Sequence, residues 1–145
     1  MMLKAVSSAA LFVVIAVLVA LAATGNLFNV SPVLIAVQVI SAGLAVWARR
    51  SFPRGAFRVV ATPGGETLVE KGPYRLIRHP MYSAALLLVW SGILAHVSPW
   101  TVTAGALATG VVVVRIVVEE RLLRERYEDY GRYARATKAL VPFVV

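Results

Sequence analysis

Residues 82–118 read YSAALLLVWSGILAHVSPWTVTAGALATGVVVVRIVV. Two apolar runs, 82–97 and 100–118, are joined by the short turn Ser98-Pro99, and the first Lys, Arg, Asp or Glu in the stretch is Arg115. As a helix rising about 1.5 Å per residue, each run would be roughly 24–29 Å long, which is close to the hydrocarbon thickness of a bilayer. The stretch therefore predicts a hairpin of two membrane-spanning helices.

The N-terminal part of the chain repeats this arrangement. Apolar runs at about 5–23 and 32–48 are separated by a stretch without charge, 24–31. The chain of 145 residues is 59% hydrophobic with a mean hydropathy of +0.78, which is more apolar than a soluble core requires. In water, four such runs would leave no amphipathic surface to cover them. We therefore predict an all-α integral membrane protein with four transmembrane helices, forming one domain over 1–145.

The distribution of charge predicts the orientation of these helices. The chain has fifteen Lys and Arg, and none of them lies in the two turns, 24–31 and 98–99. Because cationic loops stay on the cytoplasmic side of a membrane, both termini, the loop 49–80 and the tail 119–145 are predicted to be cytoplasmic. The net charge of +8 is then explained by cations that set the orientation of the helices and contact anionic lipid headgroups. A nucleic-acid partner is therefore not predicted.

The residue inventory excludes several kinds of chemistry. The chain has no cysteine, which rules out disulfides, thiolate metal ligands and thiol nucleophiles. With two histidines and no cluster of His, Asp and Glu, no metal site is predicted. Neither a phosphate-binding GxxxxGK[ST] loop nor a GxGxxG fingerprint occurs.

Two polar segments are predicted to meet at one depth in the membrane. His79 stands 19 residues before Ser98, and Glu119 stands 21 residues after it. Antiparallel helices of equal rise would bring both residues to the cytoplasmic border of the hydrocarbon, with segment 72–82 facing the paired glutamates. Arg115, one turn deeper than Glu119, can form an ion pair with it. Ionisable residues at such a depth are functional candidates by default.

The tail after residue 118 shows a helical pattern. Charged residues occupy one side of it. On the other side, apolar and aromatic residues recur at spacings of three and four: Leu123, Tyr127, Tyr130 and Tyr133. This pattern predicts that the last span continues as an amphipathic helix that ends at Pro142. Its stripe should cover either the membrane surface or the loop 49–80.

These features favour one reaction type over a simpler interpretation. Cationic residues such as Arg75 and Arg78 often only anchor a helix end, and a glutamate pair often only marks where a helix leaves the bilayer. Their convergence with Arg115 favours a site instead. Tyrosines, an imidazole and carboxylates half in lipid suit a cationic cofactor and a lipophilic substrate that enters from the bilayer. Methyl transfer from a sulfonium fits, since it needs donor, methyl and acceptor in line with water excluded.

The two motifs resemble a known superfamily. The first is Gly72-Pro73-Tyr74-Arg75-x-x-Arg78-His79-Pro80-x-Tyr82, and the second is Glu119-Glu120-x-x-Leu123 with the tail tyrosines. Together they resemble the isoprenylcysteine carboxyl methyltransferases and phospholipid methyltransferases, over about half the chain. Departures from the pattern are Ala84, where glycine is frequent, and Tyr127-Glu128, where Phe-Gly is frequent.

The resemblance implies S-adenosylmethionine as cofactor, bound on the cytoplasmic side. The positions that match cofactor contacts of the family are Leu68, Val69, Tyr74, His79, Pro80, Met81, Tyr82 and Glu119. Arg115 matches a position proposed to orient the carboxylate of the substrate, and Glu120 completes the motif. Arg115, Glu119 and Glu120 are therefore the candidate catalytic residues.

The expected function is methyl transfer to a lipophilic acceptor at the cytoplasmic leaflet. The acceptor would be an isoprenoid or lipid carboxylate, or a phospholipid amine. Two alternatives stay open: a membrane reductase of the sterol-reductase kind that uses NADPH, and a membrane scaffold without catalytic activity that only binds lipid. Small residues at Ala104, Gly105, Ala108 and Gly110 allow close helix packing, either within the chain or in a homodimer.

Overall fold

The computed structural model describes residues 2–28, 31–51 and 68–141, with side chains from residue 9 onward. In these ranges the chain is helical and has no strand, which confirms the predicted all-α class. The helices are α1 (Met2–Ala23), α2 (Pro32–Arg50), α3 (Pro80–Ala95), α4 (Pro99–Arg126) and α5 (Tyr130–Ala136). A 3₁₀ turn at Gly72–Arg75 precedes α3. In the loop 49–80, residues 52–67 lie outside the described residues.

Proline and serine determine where several helices begin. Pro32, Pro80 and Pro99 occupy the first position of α2, α3 and α4, where the missing N–H group costs nothing. Ser98 caps α4: its Oγ accepts from the Thr101 N–H at 3.2 Å, and Thr101 Oγ1 accepts from the Ser98 N–H at 2.9 Å. The predicted turn between the third and fourth runs is thus confirmed.

The helices pack in the order α2, α3, α4, α1, so that α3 and α4 form the centre. The core contains aliphatic side chains from three of them, Val17 and Leu21 of α1, Val89 and Ile93 of α3, and Ala104 and Ala108 of α4. Glycine permits the closest approaches: a Cβ on Gly92 would lie 2.6 Å from the Leu27 carbonyl oxygen, and one on Gly105 would clash with Ile93. Close packing through small residues is typical of helices in lipid.

The outer surface of the bundle is unusually apolar. Large hydrophobic side chains such as Val33, which is 72% exposed, face outward on all four long helices. Monomers in water rarely expose contiguous apolar surface on this scale. By length and composition α2 and α4 can each cross a membrane, whereas α3 and the part of α1 with described side chains are shorter apolar helices.

The predicted continuous helix in the tail is wrong. α4 ends at Arg126, since Tyr127 takes an extended conformation (φ −120°, ψ 117°), and the chain turns before α5. α5 ends at Ala136 and so before Pro142, which lies outside the described residues. The turn has a clear physical reason: it buries Tyr130 and Tyr133 against the bundle, where a straight extension of α4 would carry both rings away from it.

After α5 the chain runs extended beside the first motif. The Arg78 N–H donates to the Lys138 carbonyl at 2.7 Å, the His79 N–H donates to the Ala139 carbonyl at 3.0 Å, and the Lys138 N–H donates to the Leu76 carbonyl at 3.1 Å. The tail therefore covers part of the predicted loop, which is the second of the two surfaces expected for it. This pairing holds the motif against α3 and α4.

Candidate functional site

A tight corner places the first motif at the end of the bundle that lies away from the Ser98 turn. Gly72 has φ +60°, and a Cβ there would clash with the Ser51 hydroxyl at the end of α2. Glycine is thus required both by the left-handed backbone and by the close approach. From this corner the chain passes through the buried Pro73 to His79 and enters α3 at Pro80. The corner aims His79 and Tyr82 at α4.

Tyr82, Arg115 and Glu119 form one hydrogen-bonded group. The Tyr82 hydroxyl donates to Glu119 Oε1 at 2.5 Å. Arg115 Nε donates to the same carboxylate oxygen at 3.1 Å and also to the Tyr82 hydroxyl oxygen. Arg115 is only 3% exposed, so its charge depends on the carboxylate for compensation. The ion pair expected between Arg115 and Glu119 is confirmed.

His79 lies between the two glutamates. Its Nδ1 is 3.7 Å from Glu119 Oε2, and its Nε2 is 3.4 Å from Glu120 Oε1. The imidazole also stacks on the Tyr82 ring with centroids 5.6 Å apart. His79 is buried, and its Nε2 is not aligned for a hydrogen bond with any described group. The predicted match in depth between His79 and Glu119 is therefore confirmed by direct contact.

Arg78 connects the glutamate pair to the tail. Its Nε donates to Glu120 Oε1 at 2.7 Å, and its Nη1 donates to the carbonyl oxygens of Ala134 at 2.9 Å and Thr137 at 2.5 Å. The close polar contact with His79 and then the hydrogen bond and charge of Arg78 lower the pKa of Glu120 to about 2, although burial opposes them. Glu120 is thus a carboxylate at neutral pH. The sequence placed Arg78 in the segment predicted to face the glutamate pair, and its ion pair with Glu120 agrees with that, but its bonds to the tail were not predicted.

The tail is hydrogen-bonded to the 3₁₀ turn and to α3, and it contributes buried tyrosines. The Tyr133 hydroxyl donates to the Tyr74 carbonyl oxygen at 2.8 Å, and the Ser83 hydroxyl donates to the Leu140 carbonyl oxygen at 2.5 Å. Burial raises the pKa of Tyr74 and Tyr133, and it raises the pKa of Tyr130 to about 12. These phenols are therefore neutral hydrogen-bond donors at physiological pH. No sequence signal indicated that residues 137–140 would pair with the motif.

Four other predicted site residues make none of the polar contacts described above. Pro80 is buried at the start of α3, and Met81 beside it is half-buried, between His79 and Tyr82 in the sequence. Leu68 and Val69 are half-buried in the segment that leads to the 3₁₀ turn. Their contact with a cofactor stays a prediction.

An open, shallow depression lies on one face of α4 beside the cluster. It measures about 430 Å³ and is lined by Val117, Glu120, Arg121, Arg124 and Glu125, all of α4. Glu120 belongs both to this depression and to the polar cluster, whose own interior is filled by mutual contacts. In the ranges that the structure describes, no three His, Cys, Asp or Glu side chains are arranged to hold a metal ion.

An all-helical bundle whose polar residues gather at one end and whose flanks are apolar is typical of proteins that face lipid. The sequence matches the phospholipid methyltransferase family over residues 28–130, more than two thirds of the chain, and the chain belongs to that family. This is a membrane-associated family of methyltransferases that generally use S-adenosylmethionine. The match includes both motifs, from Gly72 to Tyr82 and from Glu119 to Leu123.

A curated relative agrees with this assignment. The chain is 32% identical over 115 residues to the cobalt-zinc-cadmium resistance protein CzcN of Cupriavidus metallidurans. The aligned part is 78% of this chain and 51% of the relative, so the chain spans about half the length of that protein. No solved structure matches the chain.

Proposed function

We propose that this chain transfers a methyl group from S-adenosylmethionine to a lipophilic acceptor at the cytoplasmic leaflet. The observation that carries the proposal is the contact of His79 and Tyr82 with Glu119, on two helices of a chain that belongs to a methyltransferase family. An isoprenoid or lipid carboxylate and a phospholipid amine are the acceptor classes that suit the site.

The residues of the cluster fit a cationic, polar cofactor. The buried Tyr130 hydroxyl has no hydrogen-bond partner among the described residues, and His79 Nε2 has only its 3.4 Å contact with Glu120 Oε1, which is not aligned as a hydrogen bond. Native structures seldom leave such atoms unsatisfied unless a ligand, ion or water supplies the partner. The glutamate carboxylates favour positive charge nearby, and the Tyr82 ring already has one cation beside it, the Arg115 guanidinium 5.5 Å from its centroid. When bound, S-adenosylmethionine supplies an activated methyl group on a positively charged sulfur.

We assign separate tasks to the charged residues. Glu119 holds a cationic or hydroxyl-bearing part of the cofactor, with its own position fixed by Tyr82 and Arg115. Arg115 receives an anionic end of the acceptor, since a guanidinium has five donors and can serve a second carboxylate in addition to Glu119. Exclusion of water by the apolar flanks keeps these charge interactions strong.

The acceptor determines whether a base is needed. A carboxylate acceptor carries no proton that must leave, so binding and alignment suffice. An amine acceptor loses a proton, and Glu119, Glu120 or His79 would take it. Comparing the lipids of cells with and without the gene by mass spectrometry, and searching for species heavier by one CH₂ group, would identify the acceptor.

We further propose that all four long helices span the membrane, with both termini and the motifs on the cytoplasmic side. The exposed apolar side chains on all four helices and the absence of Lys and Arg from the two outer turns support this topology. Because the chain has no cysteine, single cysteines are clean probes. In intact cells an impermeant maleimide should label Thr24→Cys and Val97→Cys but not Arg75→Cys or Glu128→Cys. The opposite labelling pattern would refute the orientation.

Calorimetric titration of the purified chain with S-adenosylmethionine tests the function. The wild type should bind, and Glu119→Ala should bind at least about tenfold more weakly, because a hydrogen bond to a charged group is worth about 1.5–3 kcal/mol. Glu128→Ala is the matched control, since Glu128 is an exposed tail glutamate. A wild-type chain that is folded by circular dichroism and yet does not bind would refute the proposal.

A further inference from the structure

Tyr130 carries a buried hydroxyl without a partner. The residue is 1% exposed, and its hydroxyl makes no hydrogen bond to any described group. Tyr133, one turn later, provides the contrast, because its hydroxyl donates to the Tyr74 carbonyl oxygen. The two rings meet edge to face with centroids 5.9 Å apart. Packing therefore explains why both rings are buried, but among the described residues only the Tyr133 hydroxyl has a hydrogen-bond partner.

The surroundings of Tyr130 are suited to an oxyanion. The Arg124 guanidinium lies over the ring, 5.6 Å from its centroid, and its Nη2 is 3.6 Å from Glu120 Oε2. Arg124 is 58% exposed, so it can move, and Glu120 keeps Arg78 at 2.7 Å if Arg124 leaves. Burial keeps the phenol of Tyr130 protonated at neutral pH, so its hydroxyl is a donor, and the movable Arg124 cation lies over the same ring. Carboxylates and phosphates are the groups that such pairs recognise.

We propose that the Tyr130 hydroxyl and the Arg124 guanidinium bind the carboxylate of the methionine part of S-adenosylmethionine. Glu120 and Arg124 also line the open depression on α4, so a ligand seated there can reach the Arg124 guanidinium. On binding, Arg124 turns from Glu120 to the carboxylate of the ligand, and the Tyr130 hydroxyl donates to the same carboxylate. The inference rests on the proposed function and adds to it the residues that hold one end of the cofactor.

Tyr130→Phe removes only the hydroxyl and so separates binding from folding. Without ligand the variant should melt at the wild-type temperature or higher, because an unsatisfied buried group is lost. Its dissociation constant for S-adenosylmethionine should rise at least about tenfold, as for loss of a hydrogen bond to a charged group. Tyr133→Phe is the matched control: it breaks an existing buried hydrogen bond and should melt lower than the wild type without ligand.

Decarboxylated S-adenosylmethionine makes the assignment specific. Wild type and Tyr130→Phe should bind this compound equally, since it lacks the group that the hydroxyl contacts. Equal binding of intact S-adenosylmethionine by the two proteins would overturn the inference and leave the proposed function standing. Equal weakening for both compounds would also overturn it, since the hydroxyl would then act on the fold of the site. A folded wild type that binds neither compound would remove the proposed function and this subsite together.

Discussion

Replacement of Arg78 by alanine should release the tail from the motif. Arg78 is the one side chain in the described part of the site that bonds to Glu120 and to the carbonyl oxygens of Ala134 and Thr137 at once. Its loss leaves the Glu120 carboxylate without its shortest ion pair and two carbonyl oxygens without their donor. The pairing of residues 76–79 with 137–140 should then open more often.

The magnitude follows from the burial of the pair. Removing one partner of a buried ion pair costs about 3–5 kcal/mol. The side chains of Arg78 and Glu120 are 13% and 17% exposed, so water compensates part of the loss and the lower end, about 3 kcal/mol, applies. Since about 1.4 kcal/mol corresponds to a factor of ten, the open state should become on the order of 100-fold more populated. The helices of the bundle keep their own packing and should not open with the tail.

Hydrogen exchange measured by mass spectrometry reports this opening directly. The amide protons of Arg78, His79 and Lys138 donate across the pairing, so peptides that contain them should exchange on the order of 100-fold faster in Arg78→Ala. Peptides from α3 beyond its first turn should be unchanged. Arg75→Ala is the control, because Arg75 belongs to the same motif but is exposed. Equal exchange in the two variants would refute the reasoning.

Two further predictions concern the corner and the glutamate pair. Gly72→Ala should lower the melting temperature, because alanine there combines a positive φ with a steric clash, at a cost of about 1–3 kcal/mol. Gly43→Ala is the control and should not lower it, because a Cβ at Gly43 meets nothing within 4 Å. Because contact with His79 and pairing with Arg78 depress the pKa of Glu120 to about 2, its carboxylate stabilises the fold above about pH 4.5, and that contribution is lost as the pH falls towards 2. Glu120→Gln should therefore melt lower than wild type at neutral pH and lose less stability on acidification, and melting curves with equal slopes against pH would contradict this.

The sequence predicted that the two motifs meet, because the geometry of a helical hairpin depends mainly on the number of residues on each side of its turn. Counting residues from the Ser98 turn sufficed to bring His79 and Glu119 together, since both helices rise equally and the turn is short. The ion pair of Arg115 with Glu119 followed from the spacing of four along one helix. Local regularity therefore predicted the depth of the site and its central charges.

The tail could not be predicted in the same way. The spacing of four from Leu123 to Tyr127 and of three to Tyr130 and Tyr133 fits a continuous helix. The chain nevertheless turns at Tyr127, because tertiary burial of the Tyr130 and Tyr133 rings outweighs local propensity. The extended segment 137–140 pairs through backbone groups, and these leave no mark on side-chain periodicity. The hydrogen bonds of Arg78 to the tail were missed for the same reason, since these two of its three acceptors are backbone carbonyl oxygens.

The most direct test of the central claim is to locate bound cofactor on the chain. S-adenosylmethionine carrying a labelled methyl group is cross-linked to the purified protein by ultraviolet light, with and without excess unlabelled compound, and the labelled peptides are sequenced. Label that competes away and falls on residues 72–82 and 115–130 is the predicted result. Competable label that falls only near the turns at 24–28 or 96–101 would contradict a shared site where the start of α3 meets Glu119 of α4.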